Sequence, residues 1–102
     1  MFSLVDFEDL ILLDGGDLRA VLGQLPDDQL IAAFGGTPAS LRRRLLLKLS
    51  PGLADRLEAQ IHARGPIPSE DARSAQRAVV DALCRLSRSG QIAFDVPEDM
   101  VA

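Results

Sequence analysis

Few residues in this chain are of a type and spacing that could do chemistry. Asp27 and Asp28 are adjacent carboxylates, the pairing a general acid–base site would use. His62 is the single histidine, and Cys84 the single cysteine. The first would serve as a proton carrier or metal ligand, the second as a nucleophile. The doublets Gly15-Gly16 and Gly35-Gly36 have the freedom of phosphate-cradling loops. Arg42-Arg43-Arg44 has the charge of an anion clamp.

Each of these also has a plainer structural reading. Neighbouring residues on a helix point to different faces, so Asp27 and Asp28 do not converge on one proton. They follow Pro26, and a proline with two acids suits the first turn of a helix. There the missing N–H is not needed and the carboxylates meet the positive end of the dipole. His62 has no ligand or base partner at matched spacing nearby and lies one residue past Ile61, which reads as an exposed helical position. Cys84 lies among Ala82, Leu83 and Leu86 and reads as a buried small hydrophobe. Neither glycine doublet follows a strand or matches a nucleotide-binding pattern, so both read as helix breaks. Gly15-Gly16 ends a first helix, and Gly35-Gly36 allows a left-handed C-cap. The three arginines spread over about 200° of a helix and cannot grip one anion. The chain is expected to be no enzyme and to hold no metal, nucleotide or cofactor.

The elements that must position these residues are helices throughout. Phe7, Leu10, Ile11 and Leu13 form a short first helix. Leu18, Val21, Leu22 and Leu25 recur at three-and-four spacing and stop before Pro26. Leu30, Ile31 and Phe34 form the buried face of the third helix. Thr37-Pro38 and Ser50-Pro51 each place a hydroxyl at an N-cap and a proline at the first helical position. The helices they open bury Leu41, Leu45, Leu46 and Leu49, then Leu53, Leu57 and Ile61. Gly65-Pro66 stops the second of these. The last helix runs from about Ser69 to Ser89. It buries Ala75, Val79, Ala82, Leu83 and Leu86, with Arg85 and Arg88 near its negative end. A short apolar exit, Ile92-Ala93-Phe94, follows within the one alternating stretch, Gln91 to Val96. The predicted fold is all-α, a compact bundle of about six helices in one domain over 1–102, with frayed tails at 1–6 and 95–102.

Composition narrows the function classes. Apolar residues make up 47% of the chain and aromatics only 4%, so the core must be aliphatic. A net charge of −4 argues against a general nucleic-acid binder, which needs a basic footprint to displace counterions. One cysteine excludes an internal disulfide and fits a reducing, cytoplasmic compartment. No apolar run approaches the roughly 20 residues of a membrane span, and acids at Asp6, Glu8 and Asp9 stand where a signal peptide would be basic. Charge is uneven. Residues 1–34 carry seven acids against Arg19, whereas residues 37–50 carry Arg42, Arg43, Arg44 and Lys48 and no acid. Such faces either solvate ordinary helices or orient docking to other proteins.

The ordered fragments Phe7-Glu8-Asp9-Leu10, Asp28-Gln29-Leu30-Ile31-Ala32, Ala54-Asp55, Gly65-Pro66-Ile67, Ala75-Gln76, Arg85-Leu86 and Gly90-Gln91-Ile92 span nearly the whole chain. Together they resemble the C-terminal domain of the bacterial flagellar motor switch protein FliG. The resemblance implies an armadillo-like superhelical fold and a rotor-side protein-interaction module that is not an enzyme. It also implies a place at the cytoplasmic face of the inner membrane, in the flagellar basal body. The implied partners are other flagellar switch proteins or the stator's cytoplasmic loop, with no nucleic acid, no direct membrane insertion, and oligomers only as part of a larger ring.

The sequence departs from the family where torque is made. The family's torque-bearing charged positions align with Phe34, Gly52, Ala59, Gln60 and Pro68, none of which is charged. The charges on the exposed face of the 51–64 helix and its approach are Asp55, Arg56, Glu58 and Arg64, the expected protein-interaction residues. Two other readings stand beside the motor role: a free-standing FliG-like adaptor without torque function, and a helical DNA-binding module. The Met1 start and acidic tail lean toward a free-standing protein over an excised domain.

Overall fold

The computed structural model describes residues 7–92. They form a 3-10 helix η1 (Phe7–Leu12) and five α-helices: α1 (Gly15–Leu22), α2 (Asp27–Gly35), α3 (Ala39–Leu46), α4 (Pro51–Arg64) and α5 (Ser69–Arg88). The all-helical class and the six elements agree with the sequence. The expected tails at 1–6 and 95–102 lie outside the described residues, as do Ala93, Phe94 and most of the alternating stretch.

The 20-residue α5 is the spine. Its apolar face, Ala72, Ala75, Val79, Ala82, Leu83 and Leu86, is buried, and α2 packs along it through Ile31, Ala33 and Phe34. Phe34 is fully buried and meets Phe7 edge-on, with ring centroids 5.5 Å apart and planes at 72°. Leu18, Val21 and Leu22 of α1 join this core, as do Leu45, Leu46 and Leu49. α4 sits further out. Leu57 is its one buried residue, and Leu53 and Ile61, expected to share its burial, are half-buried. Leu41 is likewise half-buried.

Local signals set the helix ends that the sequence marked. Pro26 precedes Asp27 and Asp28 in the first turn of α2. Ser50 is the N-cap residue of α4 with Pro51 at its first turn, although the Ser50 hydroxyl makes no capping bond. Gly65 ends α4 at φ +77°, a conformation glycine adopts without strain, and its N–H donates to the Ile61 carbonyl.

The glycine doublets play other parts than expected. Gly15-Gly16 opens α1 and does not end η1. The break falls at Leu13-Asp14, where an Asp14 side-chain oxygen caps α1 by accepting the Asp17 N–H at 2.8 Å. A Cβ on Gly15 would collide with the Lys48 carbonyl oxygen. Gly36 has φ −88°, so α2 has no left-handed cap. A Cβ there would overlap that of Ala72, so the glycine lets the end of α2 approach α5.

Thr37 also departs from its expected role. α3 starts one residue later than the Thr37-Pro38 signal implied, with Pro38 at the N-cap. The buried Thr37 hydroxyl turns back and donates to the Ala33 carbonyl at 2.7 Å. Gln76 Nε2 of α5 donates to the same carbonyl at 3.1 Å and to Thr37 Oγ1 at 3.3 Å. A buried hydroxyl needs a partner, and the last carbonyls of a helix lack one within the helix.

Lys48 closes the other side of the bundle. Its ammonium donates to the carbonyls of Ile11 and, at 2.6 Å, Leu13, so it caps the end of η1 from the exit of α3. Lys48→Met should lower stability by about 1.5–3 kcal/mol, the range for hydrogen bonds to a charged group. Urea unfolding will measure this, and a change under about 0.5 kcal/mol would show that water replaces the ammonium.

Candidate protein-binding face

Asp55, Arg56, Glu58 and Arg64 are all exposed on α4, as the helical period predicted. The structure does not gather them into one patch. Glu58 Oε1 accepts from Arg42 Nε at 2.7 Å, which ties α4 to α3. Asp55 and Glu58 face α3 across a groove of about 490 Å³, whose other wall carries Arg42, Arg43 and Leu47. Arg56 points to the opposite side, into a smaller cleft of about 250 Å³ shared with Arg19 and Asp27. Arg64 Nη2 donates to Asp28 Oδ1 at 3.2 Å and links the end of α4 to the start of α2. Exposed ion pairs of this kind contribute about 0–1 kcal/mol each, so both are weak ties.

The uneven charge of the sequence is partly structural. Of the basic run, Arg42 is paired and Lys48 caps η1, which leaves Arg43 and Arg44 on the exposed side of α3. Of the acids, Asp14 caps α1 and Asp28 pairs with Arg64. Apart from the local Asp14 cap, these uses were hidden from the sequence because the partners of Arg42, Arg64 and Lys48 lie 16, 36 and 35–37 residues away.

The candidates for chemistry resolve individually. His62 is exposed. Cys84 is half-buried, where the sequence implied full burial, because its side of α5 is only partly covered. Its thiol is pushed above its ordinary value, first by burial and then by the Asp81 carboxylate, with Arg88 acting the other way. A raised thiol has little thiolate at neutral pH and is a poor nucleophile. Among the described residues, no group of three or more His, Cys, Asp or Glu could hold a metal ion. No helix among them is long and apolar enough to cross a membrane.

The sequence and the fold find a match in known proteins. The family model described as the FliG C-terminal domain matches residues 2–94. This chain belongs to the FliG C-terminal domain family. It is 27% identical over 88 residues to the flagellar motor switch protein FliG of Thermotoga maritima, a match covering 86% of this chain and 26% of that protein. The Pseudomonas aeruginosa FliG is 26% identical with the same coverage. The chain thus spans about a quarter of the length of these curated relatives. A crystal structure of H. pylori FliG (residues 86–343) shares the fold, with a TM-score of 0.76 at 23% identity over 88% of this chain and 42% of that one.

Within the FliG C-terminal fold, the positions that the resemblance marks for torque separate into two kinds. Phe34 lies in the core and presents nothing to a partner. Gly52 and Ala59 of α4 and Pro68 before α5 are exposed and Gln60 of α4 is half-buried, so these positions are accessible but uncharged.

Proposed function

We propose that this chain acts as a flagellar motor switch domain of the FliG type, a non-catalytic rotor-side module that binds other proteins. The match to the FliG C-terminal domain over residues 2–94 carries the reading. The partners are other flagellar switch proteins or the stator, met at the cytoplasmic face of the inner membrane. The working surface is the exposed part of α4, with Asp55 and Glu58 on its α3 side, Arg56 on the opposite side and Arg64 at its end. Neutral residues at Gly52, Ala59, Gln60 and Pro68 leave few charges for that contact. Charges at a rim mainly set association rate and register, and they weaken with salt, so binding here is feeble and salt-sensitive.

Reversing Arg56 and Arg64 to Glu together should weaken binding to switch or stator proteins at low salt. Folding should persist, because both residues are exposed and the Arg64–Asp28 pair contributes little. Pull-down of the candidate partners, with circular dichroism of the variant, measures both. Undiminished pull-down together with normal motility would move the working surface elsewhere, and the FliG-like adaptor without torque function would then lead.

A further inference from the structure

The cleft of about 250 Å³ on the Arg56 side of α4 lies between that helix and the connection from α1 to α2. Leucines line it. Leu22 and Leu57 are buried, whereas Leu25, Leu30 and Leu53 are half-buried and leave apolar surface within reach of solvent.

The polar lining of the cleft is unevenly satisfied. Arg19 of α1 and Arg56 of α4 both border it, and both are exposed. Arg42 and Arg64 hold the carboxylates of Glu58 and Asp28, whereas Arg19 and Arg56 hold none among the described residues. Asp27 is the acid of the lining. It is the first residue of α2, where the positive end of the helix dipole offsets its charge. Gln60, half-buried in the same cleft, has an amide with no hydrogen-bond partner among the described residues.

We infer that this cleft takes a segment of a partner protein that presents a large apolar side chain beside a carboxylate. Volume decides between a side chain and a whole small molecule. Pockets for drug-sized ligands run from about 300 to about 1,000 Å³, and this cleft is smaller. It suits an anchor side chain inserted from a partner, the kind of contact that carries most of the energy of a protein interface. Apolar burial against the leucines supplies affinity. The two guanidiniums select the carboxylate and repel a basic segment. The two sides of α4 therefore differ in what they accept: the α3 side carries both signs of charge, and this side is apolar and basic. The inference rests on the cleft alone, and no flagellar protein enters its test.

Nuclear magnetic resonance of the 15N-labelled full chain tests it, with the peptide acetyl-Ala-Glu-Leu-Leu-Glu-Ala-amide added to about 2 mM, the range of weak contacts. Backbone signals of Arg19, Leu25, Leu30, Leu53 and Arg56 should shift together. Those of Ala39, Ser40 and Arg43, which line the other groove, should stay in place. The peptide with lysine for glutamate, and the one with alanine for leucine, should each bind about tenfold more weakly, since each lacks one half of the match. Arg19→Glu should weaken the acidic peptide about fivefold, with circular dichroism unchanged because the side chain is exposed. Arg64→Glu makes the same change of charge outside the cleft, about 12 Å along the helix from Arg56. It should alter binding by less than about twofold at about 0.15 M salt, where the screening length is about 8 Å. An absence of shifts at the highest peptide concentration overturns the inference. So do shifts centred on the α3–α4 groove, equal binding of the lysine or alanine peptide, indifference to Arg19→Glu, or an equal loss with Arg64→Glu.

Discussion

Phe34→Ala will lower folding stability by about 3–5 kcal/mol, the range for truncating an aromatic side chain in a packed core. Phe34 has no exposed surface, and it joins α2 to η1 through its edge-on contact with Phe7. Such aromatic pairs add about 0.5–1.5 kcal/mol beyond the area they bury. A domain of this size is stable by only about 5–15 kcal/mol, so the variant loses a large share of the total. Urea denaturation will read this as a lower midpoint at an unchanged slope. A loss under about 1.5 kcal/mol would mean that the cavity collapses or that Phe34 is not the centre of the core.

Leu57→Ala should lower stability by about 2–5 kcal/mol. Leu57 is the one buried residue of α4, with Leu53, Ala54 and Ile61 only half-buried around it. Its removal loosens the helix that carries Asp55, Arg56, Glu58 and Arg64. Hydrogen exchange should quicken in α4 before it does in α5, since local opening follows the density of buried contacts. A loss under about 1 kcal/mol would place Leu57 at the surface and break the phasing of α4.

What the sequence disclosed is what neighbouring residues decide. Pro26, Ser50-Pro51 and Gly65-Pro66 set helix ends through the missing N–H of proline and the backbone freedom of glycine, and α5 runs from Ser69 as its period implied. The exposure of the four α4 charges followed from the same period. Features made by distant segments stayed hidden. Gly15 and Gly36 are small because Lys48 and Ala72 come close, which no local pattern encodes. Thr37 looked like an N-cap, but burial turned its hydroxyl toward Ala33 and Gln76. Lys48 looked like a solvated charge and is a cap. The candidate face was legible as a list of charges but not as a surface, because Arg42 and Asp28 engage two of its members from other helices.

The motor role is tested most directly by deleting the coding segment for this domain and scoring filament assembly and swimming separately. Loss of swimming, with or without filaments, is the expected result. Swimming at the parental rate, with filaments intact, would contradict a role in the flagellar motor.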